Sequence, residues 1–156
     1  MTDSNSHGQP IVFLACRVFQ TLLESKIPAQ IADRVEFLDY GLHRTPKKLR
    51  QAVQESIDSL REPSLIVLGY GLCGNGLDRI QAGPHTLVIP RADDCIAILL
   101  GSYEAYRAQF DNNPGTYYLT KGWLESGSDP LKEYHTYLEK YGAEQAEWLM
   151  DTQYQH

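Results

Sequence analysis

The sequence predicts an α/β fold built on a mostly parallel sheet of about five strands with helices on both faces. Short apolar runs such as IVFLA, SLIVLG and TLVIP are continuous rather than alternating, as in strands buried on both sides. Between several of them lie longer stretches whose apolar residues recur at helical spacing. Strand and helix alternate along the chain, which is the order of βαβ units and implies a Rossmann-like three-layer sandwich.

Residues 1–10 are polar, lack periodicity and end in Pro10, so they are expected to form a mobile tail ahead of a single domain over residues 11–156. A chain of 156 residues with 42% hydrophobic content can bury one substantial core but not two. The first strand is expected at residues 11–15. Val18, Phe19, Leu22 and Leu23 then form an apolar stripe on a helix that starts at or just after Cys16 and is bounded by Pro28. Residues 35–40 alternate enough to be a strand nearer an edge. Thr45-Pro46 is a helix-start pair, with Leu49, Ala52, Val53, Ile57 and Leu60 on the buried face of the helix that follows, to about Arg61.

A third strand, SLIVLG, leads into GYGLCGNG, and LDRIQA has room for only a brief helix before Gly83-Pro84. Residues 86–89 are the fourth strand. Asp93 or Asp94 caps a helix whose broad apolar face runs from Ile96 through Leu99, Leu100, Tyr103 and Tyr106 to Phe110. TYYLT is rich in β-formers and reads as a fifth strand. Asp129-Pro130 opens a last helix that bends near Gly142, and the ending WLMDTQYQH, without a glycine cap or proline stop, suggests a chain that continues past His156.

Charge and cysteine usage narrow the function. A net charge of −6 and a pI near 5.3 argue against nucleic acid or anionic membranes as the main partner, which would need a dense basic patch, and leave room only for a local one. Three cysteines with no CxxC pair fit reduced thiols better than a disulfide framework, and no signal peptide or apolar span is present, so the chain reads as cytoplasmic.

Four successive strand exits offer Cys16, His43, Cys73 and Cys95. In a parallel sheet these exits share one edge, the edge at which open α/β folds bind ligands. Three thiols and an imidazole form a ligand set for zinc or iron. A single buried cysteine is ordinarily a small hydrophobe, and it is the repetition at corresponding positions that points to a site. Cys95 also lies in the first turn after Asp93-Asp94, where a helix N-terminus favours a thiolate and the two aspartates oppose it. His43 serves as fourth ligand, as general base, or as an ordinary surface histidine.

Tyr70, Gly71, Gly74 and Gly76 surround Cys73 and are candidate cofactor contacts, since glycines let a ligand approach the backbone. GYGLCG has the GxGxxG spacing, but the next segment is too short for a phosphate-binding helix, which argues against a dinucleotide site. Arg91 is a candidate for binding a substrate carboxylate or phosphate, or for pairing with Asp93 or Asp94. Asp94 is a candidate acid/base group or a helix cap.

LACRVFQTLLES, GLHRTPKKLR, VLGYGLCGNG, PRADDCIAILLGS and PGTYYLTKGWLE together resemble the domain of unknown function family 1638 of methanogens and various bacteria, over about residues 11–150. Members are often longer, which implies a C-terminal truncation here. Some are encoded near corrinoid-dependent methyltransferase systems, so the resemblance implies a link to one-carbon metabolism, with corrinoid methyl-transfer proteins as partners. The expectation is a zinc or iron protein with a Cys/His site, acting as a thiol- or methyl-group transferase on a small-molecule substrate. The alternatives are a non-catalytic metal- or cofactor-binding accessory protein and a metal-free cysteine redox protein with Cys95 as nucleophile.

Overall fold

The computed structural model describes residues 8–27, 31–126 and 129–154. Four strands form one parallel sheet: β1 (Ile11–Cys16), β2 (Arg34–Leu38), β3 (Leu65–Gly69) and β4 (Thr86–Val88), in the order β2-β1-β3-β4. Two of the three continuous apolar runs, IVFLA and LIVLG, take the central positions, where both faces are covered, whereas TLVIP, expected to be buried on both sides, supplies an edge strand with Val88 exposed. The alternating RVEFL and the three-residue TLV take the edges. Cys16 is in register with Leu38, and Ala15 with Gly69.

After β1 the chain makes a 3-10 turn (Arg17–Phe19) and helix α1 (Gln20–Lys26), then adds β2 on one side of β1. Helix α2 (Pro46–Asp58) carries it back past β1 to β3 on the other side. The direction of strand addition therefore reverses between β1 and β3. Crossovers of constant hand in opposite directions put their helices on opposite faces of the sheet.

Side chains of one parity on each central strand, Val12, Leu14 and Cys16 on β1 and Ile66, Leu68 and then Tyr70 on β3, join Leu49, Val53 and Ile57 of α2 in one core. Leu49 and Val53 are 0% exposed, so the stripe read from the sequence is the buried face of α2. Thr45 is its N-cap and Pro46 its first residue.

Beyond β4 follow α3 (Cys95–Leu100), α4 (Tyr103–Asn112), α5 (Lys121–Ser126), α6 (Pro130–Tyr141) and α7 (Ala143–Tyr154). Asp129 caps α6 by accepting from Leu131 N at 3.0 Å and Lys132 N at 3.1 Å, and Gly142 separates α6 from α7, both as expected.

Two more expectations are corrected. TYYLT is not a strand: residues 116–120 are irregular and alternate in exposure, and Tyr117 packs edge-on against Tyr154 with ring centroids 5.5 Å apart. Tyr117 meets α7 rather than extending the sheet. The helix expected from Ile96 through Phe110 breaks at Gly101, which has φ 89°, and α4 restarts with Ser102 as cap. Residues 73–79 are turns and LDRIQA forms no helix, within the expectation of at most a brief one. Of the expected tail, residues 1–7 lie outside the described residues, as does Pro28, while the Pro10 carbonyl accepts from Leu65 N at 2.9 Å and so belongs to the sheet. Among the described residues no helix is long and apolar enough to cross a membrane.

Candidate functional site

Ligands in open parallel sheets bind in the crevice beyond the carboxyl ends of the strands where the order reverses. Here that point lies between β1 and β3. Cys16 ends β1, and Tyr70 follows the last residue of β3, one step beyond the Ala15–Gly69 register pair. In-register neighbours on parallel strands are about 4.8 Å apart and point to the same face. Cys16 and Tyr70 therefore stand side by side, both within the core that α2 covers.

Cys73 enters this region from the loop after β3, and its φ of 45° is in the left-handed region unusual for a residue with a side chain. Cys95 enters as the first residue of α3. Two backbone bonds join the loops that carry them: Leu72 N donates to Ala92 O and Cys73 N to Asp93 O, both at 2.9 Å. Gly71 makes this possible. It is buried, and a Cβ there would lie 2.6 Å from the Cα and N of Asp94, closer than any real contact. The glycine is thus explained by the approach of the two cysteine-bearing loops. Gly76 is buried in the same way, its missing Cβ standing 2.5 Å from Leu49 Cδ2, while Gly74 is an exposed turn residue with φ 64°.

The three thiols feel one another. Burial pushes Cys73 up to about 11 and Cys95 up to about 12, and the neighbouring sulfurs add to each shift: Cys16 on Cys73, and both Cys73 and Cys16 on Cys95. Cys16 is raised mainly by burial, with the backbone amides of Val18 and Arg17 pulling the other way. At Cys95 the helix start favours a thiolate and the neighbouring aspartates oppose it. Burial, the two other cysteines and Asp94 outweigh the short α3, and the thiol is held protonated. Among the described residues no group of three His, Cys, Asp or Glu side chains already stands at metal-holding separations.

The other sequence candidates divide clearly. His43 is at the β2 exit but exposed, with its Nδ1 hydrogen-bonded to the carbonyl of Tyr40 and its ring 6.4 Å from that of Tyr40. Asp94 is the N-cap of α3: its Oδ1 accepts from Ile96 N at 2.9 Å and Ala97 N at 3.0 Å, so the capping role holds. Arg91 is exposed and makes no ion pair with Asp93 or Asp94. It lines a cleft of about 750 Å³ with Leu72, Asp93 and Tyr103. A second cleft, of about 600 Å³, begins at Arg17 beside Cys16 and includes Asp39 and Lys121.

Residues 37–156 match the family described as a protein of unknown function, DUF1638. The chain belongs to this family. The DUF1638 match contains His43, Cys73 and Cys95 but begins after β1, so Cys16 lies outside it, and the span starts later than the resemblance over residues 11–150 suggested. No curated protein and no solved structure matches the chain.

Tyr70 was singled out only as a neighbour of the glycines, and the structure gives it a more specific position. It is 2% exposed, and its hydroxyl has no hydrogen-bond partner. Continuing the two-residue alternation of Ile66 and Leu68 by one step would have put it on the face of Cys16.

Proposed function

We propose that this DUF1638 chain binds zinc or iron through Cys16, Cys73 and Cys95, and uses an open fourth position for thiol- or methyl-group transfer on a small-molecule substrate. The observation that supports the reading is that one buried thiol, Cys16, and two half-buried ones, Cys73 and Cys95, follow three neighbouring strand exits, with the Cys73 and Cys95 loops joined by the Leu72–Ala92 and Cys73–Asp93 backbone bonds. Burial and mutual repulsion both oppose thiolate formation, and a divalent cation reverses both terms as the protons leave. Thiolate donors select zinc or iron over magnesium or calcium.

His43, exposed and bonded to Tyr40, is not needed as a ligand in this reading, which favours three protein ligands over a closed set of four. A metal with an open position lowers the pKa of a coordinated thiol or water. Arg91 then holds an anionic group of the substrate in the adjoining cleft, and Asp94 keeps Cys95 at the head of α3 rather than acting as an acid or base. Corrinoid methyl-transfer proteins are the partners suggested by the family resemblance.

The test is titration of metal-free protein with cobalt(II). One equivalent giving a thiolate-to-cobalt absorption band, lost in Cys73→Ser and Cys95→Ser and displaced by zinc, supports the site. A band that changes on adding a small thiol supports the open position, whereas a saturated band favours an accessory role. Absence of any band, together with metal content near zero after anaerobic purification, refutes the proposal.

A further inference from the structure

The clefts at Arg17 and at Arg91 differ in what they do with their charges. Around the first, Glu24 accepts from Gln20 Nε2 at 2.8 Å, Asp39 accepts from Gly41 N at 2.8 Å, and Lys121 pairs with Glu125 at 3.6 Å. The second is lined by Arg91, Asp93 and Glu104, all exposed. Among the described residues none of these three side chains forms an ion pair or hydrogen bond, with one another or with any other group. Surface ion pairs contribute little to stability, so leaving the three apart costs the fold little and keeps both signs of charge available to a ligand.

The walls of the Arg91 cleft are fixed by backbone bonds. Leu72 N donates to Ala92 O at 2.9 Å, joining the loop after β3 to the loop after β4, and Ala92 N donates to Pro90 O at 3.0 Å, closing the turn that carries Arg91. Gly101 N donates to Ile98 O at 3.2 Å and Ser102 Oγ accepts from Ala105 N at 3.0 Å, which sets where Tyr103 and Glu104 begin α4. Leu72 and Tyr103, both large and exposed, add an apolar wall together with Pro90. The volume of about 750 Å³ is that of a small-molecule site.

We propose that this cleft binds the zwitterionic head of a free α-amino acid, Arg91 taking the carboxylate and Asp93 with Glu104 the ammonium, while Leu72, Pro90 and Tyr103 hold an apolar side chain. The inference rests on the proposed function in one respect, that Arg91 holds an anionic group of the substrate, and it names the class of that substrate; it does not rest on the metal. A guanidinium matches a carboxylate with two parallel bonds, and an ammonium offers three donors and needs acceptors. A simple anion would meet two carboxylates for one arginine, and a simple cation would meet the arginine. A ligand head that carries both charges satisfies all three groups.

The experiment is calorimetric titration of metal-free protein with glycine, L-methionine and L-phenylalanine, each up to about 10 mM, above the usual range for enzyme substrates. For the tightest of the three, the amide, which lacks the carboxylate, and the N-acetyl form, which lacks the ammonium, follow at about pH 6.5, below the usual α-amino range, so that the amide keeps its charge. Saturable binding is expected, tighter for L-methionine or L-phenylalanine than for glycine and about tenfold or more weaker for each modified form, as for lost hydrogen bonds to charged groups. In Arg91→Gln the acid and its amide should bind alike, and in the double variant Asp93→Asn, Glu104→Gln the amino acid and its N-acetyl form should bind alike, because each variant removes the group that tells the two apart. All three positions are exposed, so thermal midpoints should stay within about 2 °C of wild type.

No saturable binding of any of the three amino acids overturns the inference. Equal binding of acid and amide by wild type overturns it together with the anion-holding role of Arg91, whereas equal binding of the N-acetyl form with weaker binding of the amide overturns the amino-acid class and leaves Arg91 its anion. Discrimination that persists in the variants places the binding elsewhere and also overturns it. The cobalt(II) titration reports on the thiols separately: protein that binds an amino acid as expected but no metal refutes the metal site and keeps this inference.

Discussion

Gly71→Ala tests the contact that brings two of the three cysteines together. The added Cβ would sit 2.6 Å from the Asp94 Cα and N, and these are backbone atoms that cannot swing aside as a flexible side chain would. One loop has to move. Overpacking of this kind costs about 1–3 kcal/mol. Separation also breaks the Leu72–Ala92 and Cys73–Asp93 backbone bonds, worth about 1 kcal/mol each. The sum is about 3–5 kcal/mol, and at roughly 2–4 °C per kcal/mol for a chain of this size the thermal midpoint should fall by roughly 6–20 °C. Gly115→Ala is the control, since nothing lies within 4 Å of a Cβ there. Calorimetry of both variants gives the stability, and alkylation of Cys73 and Cys95 shows whether the loops have parted. If Gly71→Ala melts within about 2 °C of wild type and its cysteines react at wild-type rates, the close approach of the loops is wrong.

Asp94→Ala removes the cap bonds to Ile96 and Ala97 and should cost about 1 kcal/mol in urea unfolding, whereas Asp94→Asn should stay within a few tenths, because asparagine caps as well as aspartate. An equal loss in both would mean that the charge, not the cap, matters. Cys73 and Cys95 have folded-state pKa values raised from 9.0 to about 11 and about 12, so the native state keeps protons that the unfolded chain releases. Their contribution is full below pH 9.0 and declines as pH climbs through 11 and 12, so denaturation midpoints of metal-free protein should fall over that window and fall less in Cys73→Ser and Cys95→Ser. Those two variants, and chelator-treated wild type, should keep a cooperative thermal transition by circular dichroism, because the core of Leu14, Leu49, Ile57, Ile66 and Leu68 is closed without any metal. Loss of helical signal at room temperature on chelation would make the metal structural instead.

The places where reading along the chain succeeded and failed have a common cause. The strands IVFLA and LIVLG were legible because central parallel strands need apolar residues on both faces, and the Thr-Pro and Asp-Pro helix starts because capping is decided within one turn. The break at Gly101 was also local: Gly101 followed by Ser102 is a helix stop followed by a cap, a signal outweighed by the long apolar stripe. TYYLT went the other way. Its composition suits a strand, but β-propensity expresses itself only where a partner edge is offered, and here Tyr117 packs against Tyr154 of α7 instead.

The sequence by itself determined the fold class, the four strands of the sheet and the succession of cysteines beyond three of them, because hydrophobic period and turn chemistry act over a few neighbouring residues. Only the tertiary structure decided that the order reverses between β1 and β3, which puts Cys16 and Tyr70 side by side. It also decided that Gly71 seats the Cys73 loop on Asp94, that His43 turns to solvent, and that burial holds the three thiols protonated. Those outcomes depend on which strand becomes whose neighbour and on how much water is excluded, and both are properties of the packed chain rather than of any stretch of it.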